Sequence, residues 1–288
     1  MNYFTAYGDN KSKYLALKKS PNIDVYQGDV KGFGVNSTLL HIDGKGILFD
    51  CQFNKTNAEQ LANFIHSKVN NLLMVIITHP HPDHYMGTAV IKKHFPNVPF
   101  YISRSGITEI QKTIDKELAI WAPIYTTDLS AKDELPVFNI LPQDSIMFNE
   151  YKIQIYQDMQ GDVLKQSNSF FWIPDRSTLI AGDIVFAQDV HVWLAESDKN
   201  SRERWINTIE LIKNLNPTYI VTGHGLRQNY SKDNLQYTIN YIRNFEKLLM
   251  ESKNKDDLIA KLTKLYPNQQ LKEILKFSAD ASFSNKKN

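Results

Sequence analysis

The seven residues "THPHPDH", Thr78–His84, hold three histidines, one aspartate and two prolines directly behind the apolar run "LLMVII", Leu72–Ile77. Such a run reads as a strand buried on both faces. Strand ends are where α/β proteins place their sites. His79 and His81 each precede a proline, and a residue before proline is pushed out of the helical region into extended backbone. In an extended chain, residues two apart face the same side. The prolines therefore hold two neutral imidazoles side by side, able to share one ion. Asp83 and His84 follow at the turn into the next helix and can face a second ion. The bland reading is a histidine-rich surface loop. Four ligand-type side chains in six positions, behind a buried strand, outweigh it.

Outward from this stretch the chain alternates strand and helix. Ser37–Asp50 reads as a hairpin turning at Asp43-Gly44-Lys45-Gly46. Thr56–Val69 reads as a helix with a capping box of Thr56 and Glu59 and an apolar stripe of Leu61, Phe64 and Ile65. A helix over about Met86–His94 and a strand over Val98–Ser103 follow the histidine cluster. Residues 104–135 look less regular. Strands resume at "SIMF", "YKIQIY", "SFFWIP" and "STLIAGD". A helix around Arg202–Leu215 leads into the strand "TYIVTGH". From about Ser231 the chain reads as three helices, with Pro267 between the last two. No Pro/Gly/Ser-rich linker divides it, so we expect a single α/β (α+β) domain over 1–288 with the helices of about 231–288 packed on its flank.

Asp183 ends "LIAGD" and His224 ends "IVTGH", each beside a glycine where a side chain can project past little bulk. Alone they read as a cap and a loop histidine; beside the histidine cluster they read as ligands. The arrangement resembles the metallo-β-lactamase fold superfamily, whose His-x-His-x-Asp-His signature "HPHPDH" matches. The resemblance runs over nearly the whole chain. "HIDGKGILFDCQF" is similar to the family's early hairpin, with Asp50 as the buried aspartate beside the site. "LIAGD" is similar to the strand carrying its bridging carboxylate, and "IVTGHG" to the strand ending in its last histidine ligand. The resemblance implies a four-layer αβ/βα sandwich with extra C-terminal helices here, and a metal site at one edge. It implies His79, His81, Asp83, His84, Asp183 and His224 as ligands.

One position departs from that pattern. The family offers a further histidine before the "AGD" strand, in the stretch corresponding to "YQDMQGDVLKQSNSFFWIP". Alignment back from Pro174 puts Gly161 on the family glycine and Asp162 on its histidine, so Asp162 is the candidate third ligand of the first metal; Asp158 or Gln160 are the alternatives. With Asp162 bound, three carboxylates and one hydroxide balance two divalent ions. The extra carboxylate weakens Lewis acidity and favours Mn²⁺ or Fe²⁺ beside Zn²⁺.

Two zinc ions about 4 Å apart lower the pKa of a shared water from about 15.7 to about 7. The expected chemistry is a metal-bound hydroxide attacking a small carbonyl substrate: a lactone, ester or β-lactam-like amide. Asp83 is the catalytic carboxylate that steers the hydroxide and carries a proton to the leaving group. Asp50 holds a metal-binding histidine from behind. His191 and Trp193, in "DVHVWLAES", and Trp121 and Tyr125, in "AIWAPIYTTDL", are the candidate substrate-pocket residues, against ordinary packing. His41, His66 and His94 read as structural or exposed, and Cys51 as a buried small apolar residue.

The rest bounds partners. The chain has 288 residues, 42% hydrophobic and 22% charged, with formal charge +2 and both signs interspersed. A nucleic-acid binder shows a basic stripe; here the basic cluster is Lys286-Lys287, read as a frayed tail. No stretch approaches the roughly 20 apolar residues of a membrane span. We expect a small-molecule substrate and neither nucleic acid nor membrane; composition does not set the oligomeric state. One cysteine and an N-terminal stretch, "MNYFTAYGDNKSKYLALKK", without an apolar core point to the cytoplasm, or to periplasm or secretion if a leader has been removed. Competing readings are a phosphodiesterase, a glyoxalase-like thioesterase, an iron-dependent persulfide oxygenase, or a metal-binding protein whose activity is impaired at Asp162.

Overall fold

The structure is a computed structural model and describes residues 20–284. The N-terminal stretch and the Lys286-Lys287 cluster lie outside the described residues. The chain runs β1 (Asn22–Gln27), β2 (Asn36–Ile42), β3 (Lys45–Phe49), α1 (Lys55–Lys68), β4 (Asn71–Ile76), α2 (Pro82–Tyr85), α3 (Thr88–His94), β5 (Phe100–Ile102), α4 (Arg104–Tyr125) and β6 (Phe138–Ile140). It continues through β7 (Ser145–Phe148), β8 (Tyr151–Met159), β9 (Asn168–Ile173), β10 (Thr178–Ile180), α5 (Lys199–Asn214), β11 (Tyr219–Val221), α6 (Asp233–Glu251), α7 (Lys255–Leu265) and α8 (Lys272–Ser284).

Two sheets form, ordered β1-β2-β3-β4-β5-β6 and β11-β10-β9-β8-β7. Side chains alternate across a strand, and the core follows that alternation. Leu40, Ile47 and Phe49 of the first sheet meet Phe171, Ile173 and Ile180 of the second in the central layer. Their neighbours point outward: Leu39 and Leu48 pack on Leu61 and Ile65 of α1 and on Ile110 and Ile114 of α4. On the other side Phe170, Trp172 and Leu179 pack on α5–α8 through Trp205, Ile239, Leu262 and Ile274. Helix, sheet, sheet, helix is the four-layer αβ/βα sandwich.

The sheets are tied together at one end. Asn36 at the start of β2 donates its backbone N–H to the Gly223 carbonyl (2.8 Å) and its side-chain amide to the Thr222 carbonyl (3.0 Å). The Ser169 N–H reaches the Thr78 carbonyl at 2.8 Å. Trp205 of α5, fully buried, donates its indole N–H to the carbonyl of Ile184 (2.8 Å), so an outer helix fixes the turn that carries Asp183.

Several local expectations are corrected. The helix α1 is capped by Asn54, which accepts from the Asn57 N–H, and not by Thr56. Thr56 instead donates its hydroxyl to Asp128 (2.8 Å), and Glu59 pairs with His94 (2.7 Å). Residues 104–125 are a single long helix, α4, capped by Ser103 and containing Pro123 in its last turn. The helix expected over about Met86–His94 is α3, which starts at Thr88, and an additional short helix, α2, precedes it from Pro82. The first sheet has two edge strands, β1 and β6, absent from the reading of the sequence. No helix among the described residues is long and apolar enough to cross a membrane.

Candidate metal centre

The ligand-type side chains converge from four separate segments. The segment after β4 supplies His79, His81, Asp83 and His84; the β8–β9 loop supplies Asp162; the turn after β10 supplies Asp183; the end of β11 supplies His224. His81 has the extended backbone that its following proline imposes, and Pro82 begins α2. The rings of His79 and His81 lie 4.9 Å apart. Two donor groups result, each with its atoms within 4.8 Å of one another: His79, His81, Asp162 and Asp183; and Asp83, His84 and His224. Asp183 reaches both. Its Oδ2 lies 3.7 Å from His79 Nε2 and 2.9 Å from His224 Nε2, and its Oδ1 lies 3.1 Å from His84 Nε2. Asp162 Oδ2 sits 2.8 Å from His81 Nδ1. Asp158 does not belong to the group, and the Gln160 amide is taken up by Arg204 Nε (3.2 Å) and the Val163 carbonyl.

The partners behind the rings decide which nitrogen faces inward. His84 Nδ1 meets Asp50 Oδ2 at 2.8 Å, and His224 Nδ1 meets the Phe33 carbonyl at 2.8 Å. Both partners only accept, so each ring gives its proton outward and keeps a lone pair on Nε2. Thr78 Oγ1 donates to Asp50 Oδ2 (2.9 Å) and so accepts from His79 Nδ1 (2.9 Å). His81 is turned the other way, with Nε2 3.4 Å from Glu196 and Nδ1 inward. As neutral rings, the four histidines turn four nitrogen lone pairs toward three carboxylates. Buried His79 Nε2 has no hydrogen-bond partner. Such a donor set fits divalent cations, and orphaned acceptors of this kind are what a cation satisfies.

Electrostatics agree. Burial, with His84 adding to it, holds His79 well below the usual imidazole range and so neutral. Burial, with Asp183 nearby, pushes Asp162 up to about 6 against the pull of His81. Burial would lower His81 and His84 too, but Asp162 and Asp183 respectively outweigh it, so protons compete with a cation for these nitrogens.

Close approach explains the glycines. A Cβ on Gly223 would lie 1.8 Å from Asp183 Oδ1. Gly182 has φ +50°, and a Cβ there would lie 2.7 Å from Thr78 Oγ1, the atom that holds His79.

The centre opens into a cavity of about 120 Å³ that Asp83, His81, Asp183 and His224 border together with Trp121 and Trp193. Two pocket expectations are corrected. His191 is buried away from the cavity against the Tyr241 hydroxyl (2.8 Å), because Val190 and Val192 on either side of it are core residues. Tyr125 packs on Phe53 (4.7 Å) and donates to the Lys31 carbonyl, outside the cavity wall. Glu196, in the same loop as Trp193 at the mouth of the site, lines the cavity too; the reading of the sequence missed Phe277, which also lines it.

The metallo-beta-lactamase superfamily domain matches residues 30–224, and the chain belongs to that superfamily. Solved structures share the fold at low identity. A metallo-beta-lactamase from Pontibacter korlensis is 15% identical, over 79% of this chain and 97% of that one, with TM-score 0.58. The DIM-1 metallo-beta-lactamase exposed to ceftazidime is 16% identical, over 78% and 98%, with TM-score 0.57. TMB-1 is 17% identical, over 78% and 99%, with TM-score 0.55. No curated protein matches the chain.

Proposed function

We propose that the protein is a metal-dependent hydrolase that holds two divalent ions, zinc ahead of manganese or iron, and cleaves a small carbonyl substrate such as a lactone or ester. The observation that carries this reading is Asp183, buried and within 3.7 Å of histidines from both donor groups, below an open cavity. When bound, two such ions supply Lewis acidity and an acidified water near neutral pH. Asp83 is the ligand carboxylate with the most exposure, 15% against 0% and 2% for Asp162 and Asp183. It is placed to orient the attacking water, take its proton and return that proton to the leaving group. Among the described residues no Ser, Thr or Cys lines this cavity, so no hydroxyl or thiol nucleophile is offered there. Aryl-ester turnover by protein holding two ions, lost in His79→Ala, is the expected result. Absence of turnover in fully loaded protein would contradict it and leave a metal-binding role.

A further inference from the structure

The cavity above the donor groups has two characters. Its walls are aromatic. Trp121 of α4 stands edge-on to Phe53 (5.5 Å, 88°) and to Phe33 (5.5 Å), and Phe277 of α8 bridges Trp121 and Trp193 at 5.9 Å each. Trp193 in turn lies edge-on to His81 at 6.2 Å. These five rings make a continuous wall that ends at a ligand histidine. Flat apolar groups are what such a wall accommodates, through burial and edge-to-face contact.

The rim is acidic. Apart from the donor residues, the charged side chains lining the cavity are Lys116, Glu117 and Glu196, two carboxylates against one ammonium. Glu117 is held in place by the Trp121 indole N–H (3.0 Å) and Glu196 by His81 Nε2 (3.4 Å). The adjoining cavity shares Glu117 and Glu196 and adds only Glu109 and Lys165, themselves 3.6 Å apart. An anionic group entering beside the wall therefore meets net negative charge, and like charges repel.

Resting on the hydrolase reading, we propose that the substrate is an uncharged acyl compound with a flat apolar group against the Trp121–Phe277–Trp193 wall, and that Glu117 and Glu196 discriminate against anionic acyl compounds.

Two aryl acetates of the same shape test this with the full zinc-loaded chain: 4-acetoxy-N,N-dimethylbenzenesulfonamide, neutral, and 4-acetoxybenzenesulfonate, anionic. Each kcat/KM is divided by that ester's hydroxide rate constant. We expect the neutral ester to be favoured by about tenfold or more, the ratio to shrink several-fold in Glu117→Gln, and to shrink again at high salt. Equal ratios, or preference for the sulfonate, overturn the proposal. If neither ester turns over although two ions are bound, the hydrolase reading fails. The charge preference is then read from tryptophan quenching by the two corresponding phenols. Tighter binding of the neutral phenol supports the cavity assignment, and equal or tighter binding of the sulfonate overturns it.

Discussion

Asp50 Oδ2 lies 2.8 Å from His84 Nδ1 and, through Thr78 Oγ1 at 2.9 Å, also governs His79. One buried carboxylate thus sets the tautomer of a histidine in each donor group, and its other oxygen takes the Thr78 N–H (2.8 Å). Asp50 has φ 61°, a left-handed backbone that asparagine also tolerates. Asp50→Asn therefore keeps the backbone and removes the double acceptor. We expect metal affinity to fall by about 10–100-fold, measured by competition with a chelator of known affinity. Unchanged affinity would show that the tautomers are set elsewhere.

Gly223→Ala should be more damaging than its size suggests. The added methyl would lie 1.8 Å from Asp183 Oδ1 and 2.7 Å from the Gly182 carbonyl carbon, which is backbone and cannot swing away. Overpacking of this kind costs about 1–3 kcal/mol or more. The expected outcome is a lower unfolding midpoint together with loss of bound metal by elemental analysis. A variant that keeps its full metal content would refute the close approach.

His191 carries a pH prediction. Burial, helped by Lys272, holds it down at about 4, against about 6.5 in an unfolded chain. Between those values the unfolded state binds a proton that the folded state does not. Stability is therefore fully present above about pH 6.5 and is lost as pH falls towards about 4. Between about pH 7.5 and about pH 5 the loss from this one group is about 2 kcal/mol. Urea unfolding of wild type and His191→Gln at both values isolates it, since the other titrating groups are common to both. Parallel pH dependence in the two proteins would rule it out.

Trp121→Ala removes the ring at the centre of the aromatic wall, which also anchors α4 against Phe53 and Phe33. We expect destabilisation of about 1–3 kcal/mol, below that of a fully buried aromatic because Trp121 is partly exposed to the cavity, together with a higher KM for an aryl ester. A KM unchanged from wild type would place the substrate elsewhere.

Much of the centre was legible because its chemistry is local. The two prolines and the spacing of His79, His81, Asp83 and His84 are written in one short stretch, and the glycines before Asp183 and His224 mark close approach. The helix α4 was obscured by Gly106 and Pro123, although Ile107, Ile110, Ile114, Leu118 and Trp121 keep a helical period. Pro123 is tolerated because it lies in the final turn. The cap of α1 was misread because Thr56 and Glu59 fit the local pattern while Asp128 and His94, far along the chain, claim their side chains. Phe277 joins the cavity only through the packing of α8, which no local pattern encodes.

The central claim is a dinuclear centre in which Asp162 takes the place of a histidine. Its carboxylate is fully buried, 2.8 Å from His81 and braced by the Asn168 amide at 3.0 Å. Metal content by mass spectrometry, on wild type and Asp162→Ala purified alike without added metal, tests it most directly. Close to two ions per chain in the wild type and one in the variant is the predicted result. One firmly bound zinc in both would contradict it.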